Sequence, residues 1–318
     1  MEDRPVVHGP GGAGAGGVRA AMGVETVRDA PIPTWFGVGG RADHFAEPAS
    51  MDELRALIDR FEGCVRVLGD GANLLVDDAG VGGVVVSLAK MTGVTGPIEP
   101  VEGEGVVVLR VGAGASLPRL IIETVRAGLG GLEGLGGIPA TLGGAVRMNA
   151  GGAFGEIASV VRAVRGVTLV GEPFERRRGE IPFGYRRSGL AQVVITEVDL
   201  ALTPADPARL RDRLKEVMAA KKASQPLAER SAGCVFKNPT VSGERVSAGR
   251  LIDAAGCKGL RIGSASVSAV HANFITADRG GSARDVLALI ERVGERVAEV
   301  HGVTLERELV VWGREDAP

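Results

Sequence analysis

Apolar residues near the start of the chain fall first at helical spacing and then in short unbroken runs. Four of them share one face of a helix: Leu54, Leu57, Ile58 and Phe61. Ser50 and Glu53 precede them as a capping box and Gly63 follows, so the pattern predicts a helix that ends at Gly63. The runs at 65–68 and 83–88 predict strands on either side of a turn-rich loop.

Strands and helices continue through the middle of the chain. A strand is predicted at 106–111, and Ser116 is placed to cap a helix that stops at Gly128. Further strands are predicted near 167–170 and 193–200.

A proline-opened helix marks the start of the last third. Asp206 is a cap and Pro207 a first-turn proline for this helix, which Gln225 and Pro226 close. Short strands follow, with one long helix at 282–301. A final strand at 305–312 completes what we expect to be an α+β domain.

Glycine is concentrated in one segment, residues 128–155, which holds eleven glycines in twenty-eight residues. Apolar residues such as Leu135, Ile138 and Leu142 interrupt them, which a flexible linker would not require. Glycine permits positive φ and close approach of the backbone to a bound molecule. The segment is therefore expected to form a cradle for a cofactor or a phosphate.

Composition narrows the function classes. The chain has 318 residues, 37 basic and 39 acidic, and only 3% aromatic residues. The charges nearly balance and few aromatic side chains are available to stack on bases, so the composition predicts no binding of nucleic acid. Three cysteines without a C-x-x-C pair favour a reducing cytoplasm and predict no metal site. No apolar run reaches the ~18 residues of a membrane span. Residues 1–20 resemble no signal peptide and are expected to be a disordered tail.

Two small-residue loops are candidate anion sites. Residues 69–75, Gly-Asp-Gly-Ala-Asn-Leu-Leu, can turn several backbone N–H groups toward one anion, although an ordinary tight turn explains them equally well. Residues 112–116 half match a dinucleotide fingerprint. Because Leu117 stands where its third glycine is required, a plain strand-to-helix turn is favoured there.

Candidate reactive groups lie further on. Residues 231–239, Ser-Ala-Gly-Cys-Val-Phe-Lys-Asn-Pro, place a thiol, an ammonium and an amide close together. Such a loop can hold a substrate and donate a proton, whereas a free cysteine taken alone is usually a small buried hydrophobe. Glu306 and Glu308 alternate on the final predicted strand and so point the same way, toward water by default or into a cleft if functional. By default, His271 is a core histidine.

Seven spaced segments carry a family resemblance: TWFGVGGRAD from Thr34, LGDGANLLV, GLEGLGGIPATLGGAVRMNAGG, YRRS, SAGCVFKNP, VSAVHANF and LERELVVWG ending at Gly313. In this order they resemble the flavin-dependent UDP-N-acetylenolpyruvoylglucosamine reductases of peptidoglycan synthesis, called MurB. Tyr185 is the only tyrosine, which suggests the shorter type II branch of the family.

The resemblance implies an α+β architecture: a FAD-binding fold of the vanillyl-alcohol-oxidase/PCMH type in two subdomains, followed by a C-terminal α+β substrate domain. The implied boundaries are a disordered tail at 1–20, subdomains at 21–90 and 91–205, and the substrate domain at 206–318. FAD is expected to bind non-covalently. We expect a cytoplasmic monomer that binds no nucleic acid and no membrane.

The implied reaction starts with reduction of FAD by NADPH. The reduced flavin then passes hydride to C3 of the enolpyruvyl ether of UDP-N-acetylglucosamine enolpyruvate, and the product is UDP-N-acetylmuramate. Arg186 and Glu308 match the family's catalytic arginine and glutamate, which act on the enolpyruvyl carboxylate, and Cys234 takes the place of the proton donor to C2.

Binding residues are also implied by the resemblance. The expected cofactor contacts are Gly69, Asp70, Gly71, Ala72, Asn73, Leu74, Leu75, Gly137, Ile138, Pro139, Ala140, Thr141, Gly143, Gly144, Ala145 and Asn149. The expected contacts to the UDP-sugar are Lys222, Lys237, Asn238 and His271.

Cys234 departs from the serine that most relatives carry. A thiol with an ordinary pKa of about 8.5 is a stronger acid than a hydroxyl, provided that Lys237 does not drive it to thiolate. We therefore expect turnover to fall at alkaline pH and thiol alkylation to inactivate the enzyme.

Two other functions fit parts of the pattern. A sugar or alcohol oxidase of the same superfamily would bind FAD without using NADPH or a UDP-sugar. Many such oxidases attach flavin through a histidine, and the glycine-rich segment contains none. A non-catalytic nucleotide-sugar sensor would bind without turnover, but a sensor has no need of Arg186, Cys234 and Glu308 together.

Overall fold

The first part of the fold is a four-stranded sheet with one helix. The computed structural model describes residues 24–98, 105–226 and 229–314, so the expected tail at 1–20 lies outside the described residues. The elements of this part are β1 (Val27–Pro31), β2 (Arg41–Ala46), α1 (Met51–Arg60), β3 (Val65–Leu68), β4 (Leu74–Val76) and β5 (Val81–Ser87). The sheet order is β1-β2-β5-β3, with β5 parallel to both of its neighbours.

The predicted helix at the start of the chain is confirmed as α1. Ser50 Oγ accepts a hydrogen bond from Glu53 N at 3.2 Å, while Glu53 Oε2 accepts one from Ala49 N at 2.8 Å. The buried Leu54, Leu57 and Ile58 belong to the main core. Local capping and apolar spacing therefore specified this helix.

A larger sheet forms the middle of the fold. Its elements are β6 (Val94–Ile98), β7 (Val107–Gly112), α2 (Leu117–Arg126), β8 (Leu129–Gly130), α3 (Leu142–Arg147), β9 (Gly151–Gly152), β10 (Gly155–Glu156), β11 (Val161–Thr168), β12 (Pro173–Arg177) and β13 (Val193–Pro204). The order β12-β11-β13-β7-β6 is antiparallel throughout. The favoured strand-to-helix turn at 112–116 is confirmed between β7 and α2. Ser116 occupies the cap position, but its side chain makes no capping hydrogen bond.

Helix α4 (Pro207–Ser224) packs against the glycine-rich segment. A Cβ on Gly136 would lie 2.5 Å from Leu214 Cδ1, and one on Gly130 would lie 2.9 Å from Leu210 Cδ2. The missing side chains therefore let α4 approach this backbone closely. The domain boundaries drawn from the sequence remain predictions.

The last part is a small α+β unit with its own core. Its elements are β14 (Thr240–Val241), β15 (Glu244–Arg245), α5 (Ala248–Ala254), β16 (Arg261–Ile262), β17 (Ala265–Val267), β18 (Ile275–Ala277), α6 (Ala283–His301) and β19 (Val310–Trp312). The predicted long helix is confirmed as α6, which buries an apolar face. Among the described helices, none combines the length and the apolar character that a membrane crossing needs.

The predicted final strand is wrong in its first half, because only β19 is a strand and it pairs in parallel with β4. Glu308 N and Leu309 N both donate to Val235 O, at 2.7 and 3.2 Å. Two successive amides on one carbonyl interrupt a regular ladder. The chain therefore contacts Val235 at Glu308 and Leu309, and pairs with β4 only from Val310 onward.

Candidate functional site

Arg186 and Glu308 form the centre of the site, although 122 positions separate them in the sequence. Arg186 lies in a tight turn closed by the Gly184–Arg187 bridge and has a φ of +56°. Its Nε donates to Glu308 Oε1, and its Nη1 donates to Gly151 O at 2.8 Å. The guanidinium therefore joins the chain near β19 to the glycine-rich segment.

The Glu308 carboxyl is largely buried, with 11% of its side chain exposed. Burial raises its pKa above the ordinary value, and the charge and hydrogen bond of Arg186 only partly oppose this. A carboxyl in this position can hold a proton more readily than one on the surface.

Glu306 lies in different surroundings from Glu308. It is 72% exposed and pairs with Lys237 Nζ, and Glu306 O accepts a hydrogen bond from Lys237 N at 2.8 Å. The expectation that the two carboxylates face the same environment is therefore wrong. The physical reason is the irregular backbone at Glu308 and Leu309, which ends the alternation of a strand.

Cys234 lies beside this pair and is partly buried. It is bridged to Phe274, and the next residue, Val235, accepts the amide of Glu308. Burial among protein atoms and the nearby Glu308 carboxylate raise the pKa of the thiol to about 12, against the opposing effects of Arg186 and Asn273. The thiol keeps its proton at neutral pH, as a general acid must.

Lys237 is paired with Glu306, so its charge is not directed at the Cys234 thiol. Because the pKa of the thiol is about 12, deprotonation of Cys234 should not lower turnover within the pH range of ordinary assays. Because the thiolate is the form that alkylating reagents attack, Cys234 should react slowly at neutral pH.

Asn273 holds the loop that carries Cys234, a role that was not predicted from the sequence. Its Oδ1 accepts from Phe236 N at 2.9 Å and its Nδ2 donates to Phe236 O at 2.8 Å. The residue is buried. A buried carboxamide bonded to both polar groups of one peptide residue fixes the local backbone. The only signal in the sequence was its place in the VSAVHANF segment.

His271 and Asn238, two of the expected UDP-sugar contacts, make structural hydrogen bonds. His271 Nδ1 accepts from Asn273 N at 3.2 Å, and burial lowers the pKa of its imidazole. Asn238 Oδ1 accepts from Ala248 N at 2.9 Å, at the start of α5. Their assignment to substrate stays a prediction.

The lysines at the end of α4 are not equivalent. Lys222 is exposed, whereas Lys221 is half-buried and its Cδ lies 3.2 Å from the position of a Cβ on Gly137. Burial, together with the positive charge of Arg186, lowers the pKa of the Lys221 ammonium to about 8. Lys221 therefore lies next to the predicted cradle, whereas the residue predicted to contact the UDP-sugar was Lys222.

The loop at 69–75 and the segment at 137–145 lie against each other where Gly69 approaches Thr141. A Cβ on Gly69 would lie 3.0 Å from Thr141 Oγ1, and one on Gly143 would lie 2.9 Å from Ala113 Cβ. Gly71 has a φ of +66°, and its Cβ would lie 2.3 Å from Pro33 O. The two expected cofactor segments are therefore neighbours, and Gly71 and Gly143 are needed because the chain at Pro33 and Ala113 packs closely against them.

Polar side chains support this backbone cradle. Thr141 Oγ1 caps α3 through Gly144 N at 3.2 Å, and Trp35 Nε1 donates to Asp70 Oδ2 at 3.2 Å. Burial raises the pKa of Asp70, although its hydrogen bond to Trp35 opposes the shift. This acidic side chain is thus tied back to Trp35.

Asn149 links the cradle to the turn that carries Arg186. It is buried with a φ of +42°, its Nδ2 donates to Gly184 O at 3.0 Å, and its Oδ1 accepts from Ala158 N at 3.3 Å. Asparagine tolerates this left-handed conformation better than most residues. The structure therefore uses its amide to hold protein groups, and a direct cofactor contact stays a prediction.

Comparison with sequence families places two domains along the chain. Residues 42–175 match a family described as FAD binding domain, and residues 225–312 match UDP-N-acetylenolpyruvoylglucosamine reductase, C-terminal domain. The second range contains Cys234 and Glu308, and the first contains both segments of the cradle.

Whole-chain relatives agree. UDP-N-acetylenolpyruvoylglucosamine reductase 2 of Symbiobacterium thermophilum is 42% identical over 282 residues, which cover 87% of this chain and 88% of that protein. The reductase of Moorella thermoacetica is 39% identical over 94% of this chain and 97% of its own length.

A solved structure agrees as well. The Thermus caldophilus UDP-N-acetylenolpyruvylglucosamine reductase (MurB) aligns with a TM-score of 0.75 and 41% identity, over 91% of this chain and 98% of that one. Together with the FAD binding domain match, this confirms the α+β fold class and the expected FAD-binding fold.

Proposed function

This chain belongs to the UDP-N-acetylenolpyruvoylglucosamine reductase family, and from that premise we propose how its own residues carry out the reaction. It is a flavin-dependent oxidoreductase that reduces UDP-N-acetylglucosamine enolpyruvate in peptidoglycan precursor synthesis. The proposed roles rest on the Arg186–Glu308 pair, which lies beside Cys234 and is joined to the cradle loop through Asn73.

The cradle suits FAD. Its two glycine-containing segments lie against each other at Gly69 and Thr141, and backbone N–H groups of such small-residue turns and of a helix N-terminus suit a pyrophosphate. When bound, FAD supplies the hydride to the enolpyruvyl group after receiving it from NADPH.

Arg186 binds the enolpyruvyl carboxylate and stabilises the negative charge that grows on it as the double bond is reduced. A preorganised cation in a partly buried position is effective in this role. Glu308 orients the guanidinium, and its raised pKa lets it share a proton with the substrate carboxylate.

Cys234 gives its proton to C2 of the substrate and is reprotonated from solvent afterwards. The high pKa keeps the proton in place until the carbon becomes strongly basic. Asn273 keeps the thiol in position by holding the backbone of Phe236.

Lys221 provides a positive charge for the anionic groups of the UDP-sugar. It is half-buried beside Gly137 and has no ion-pair partner among the described residues. The charge of Lys237, by contrast, is shared with Glu306. A diphosphate binds most strongly where cations are not already neutralised.

The test is the visible absorbance of the purified protein under anaerobic conditions. Flavin bands that bleach with NADPH and return with UDP-N-acetylglucosamine enolpyruvate are the expected result. Bands that bleach and do not return would indicate another acceptor, such as that of a sugar oxidase. A protein that binds UDP-sugar but takes up no FAD would be a sensor.

We propose a cytoplasmic monomer. Light scattering coupled to size-exclusion chromatography should give a mass near 32.7 kDa, and a mass near twice that value would contradict the monomer. Fractionation of cells that express the chain would test the compartment.

A further inference from the structure

We propose that Asn73 is a positioning residue that couples the loop at 69–75 to the orientation of Glu308. The family resemblance assigns Asn73 only to the cofactor, but its side chain reaches the backbone of Glu308, just before β19. This inference rests on the proposed function, because it concerns the step in which Glu308 acts.

The backbone of Glu308 is held on both sides of its Cα. Its amide donates to Val235 O at 2.7 Å, and its carbonyl accepts from Asn73 Nδ2 at 3.3 Å. The first bond joins Glu308 to the loop of Cys234, and the second joins it to the cofactor loop. With both peptide groups held, the carboxyl is directed toward Arg186.

Asn73 is itself fixed from the other side. Its carbonyl accepts from Val310 N at 3.2 Å, and the parallel ladder of β4 and β19 begins at the Val310–Leu74 pair. Two residues earlier, Gly71 O accepts from Trp35 N at 3.1 Å. The loop therefore ends in a rigid strand, and the Asn73 side chain transfers that rigidity across to Glu308.

Loss of this donor would leave the Glu308 carbonyl without its partner. The carboxyl could then move away from Arg186, which would weaken the grip on the substrate carboxylate. A displacement of about 1 Å costs up to about 100-fold in rate. Reduction of the flavin by NADPH does not use Glu308 and should be spared.

The experiment compares Asn73→Asp, which keeps the size but removes the donor, with Asn73→Ala and with the control Ala79→Ser in the exposed turn after β4. Each variant is saturated with FAD and followed by stopped flow through both half-reactions. We expect bleaching by NADPH within about twofold of wild type and reoxidation by the enolpyruvyl substrate about 10- to 100-fold slower. The control should match wild type in both.

A second readout needs no turnover. Hydrogen exchange of the FAD-free protein should become faster around residues 308–310 in both Asn73 variants, but not in Ala79→Ser, if the side chain holds this backbone. Unchanged exchange together with unchanged reoxidation would overturn the proposal. So would equal slowing of both half-reactions, or loss of FAD binding in both variants, since Asn73 would then be a cofactor ligand. If wild type itself is not reoxidised by the enolpyruvyl substrate, the proposed function fails instead.

Discussion

The catalytic cluster and the glycine cradle lie side by side but are built in opposite ways. The cradle consists of backbone from two segments, 69–75 and 137–145, whose useful property is the absence of side chains. The cluster consists of three side chains, Arg186, Cys234 and Glu308, each from a different part of the chain.

The difference decides how each region responds to change. In the cradle, an added methyl group is harmful because there is no space for it. In the cluster, the size of a side chain matters less than its charge and its proton, which burial controls.

The largest expected effect is loss of the thiol proton donor. Cys234→Ala should reduce the rate of reoxidation by substrate about 10²- to 10⁴-fold, while bleaching by NADPH is retained. Cys234→Ser, which keeps a donor of similar size, should retain most of the rate. Equal activity of the Ala variant and wild type in single-turnover assays would show that another group donates the proton.

Removal of the guanidinium comes next. Arg186→Ala should lower kcat about 10²- to 10³-fold, because the charge on the carboxylate loses its cation and Glu308 is left buried without its partner. Arg186→Lys keeps the positive charge but loses the paired N–H donors of the guanidinium, so its kcat should lie between those of wild type and Arg186→Ala. Steady-state kinetics at saturating FAD measure the effect, and a change confined to KM would contradict it.

In the cradle, Gly71→Ala should weaken FAD binding about 10- to 100-fold, because strain of about 1–3 kcal/mol must be relieved by moving the loop away from Pro33. The matched control is Gly171→Ala, which also has positive φ, +82°, but open space around it. Its FAD affinity should not change. Fluorescence titration of the FAD-free proteins compares the two, and equal affinities would show that the clash at residue 71 is unimportant.

The smallest expected effect distinguishes the two lysines of α4. The ammonium of Lys221 is present below its pKa of about 8 and is lost as pH rises through that value, so KM for the UDP-sugar should rise there. Lys221→Met should abolish this pH-dependent rise in KM, and it should raise KM at neutral pH less than about tenfold. The exposed neighbour gives the control, because Lys222→Met should still show the rise in KM at alkaline pH. If only Lys222→Met abolished that rise, Lys222 and not Lys221 would be the residue that binds the UDP-sugar.

Much of the fold was predictable because its signals are local. Capping residues and apolar spacing specify α1 and α6, and proline marks the start of α4. The final strand was predicted too long, because the contacts of Glu308 and Leu309 with Val235 come from a segment more than seventy positions away. No local pattern contains that information.

The site was predictable in the same uneven way. The motifs, taken in order, identify the family. Their glycines indicate the segments of the cradle, because glycine readily adopts the positive φ found at Gly71 and Gly137. They did not distinguish Lys221 from Lys222, and they assigned Asn73 to the cofactor alone, although its amide reaches Glu308.

The sequence was enough to predict α1, α2, α4 and α6, the two segments of the cradle and the family. It did not show which carboxylate is buried, which lysine lies beside the cradle or why Cys234 keeps its proton. Those properties depend on desolvation and on charges contributed by distant segments, and both exist only once the chain has folded around them.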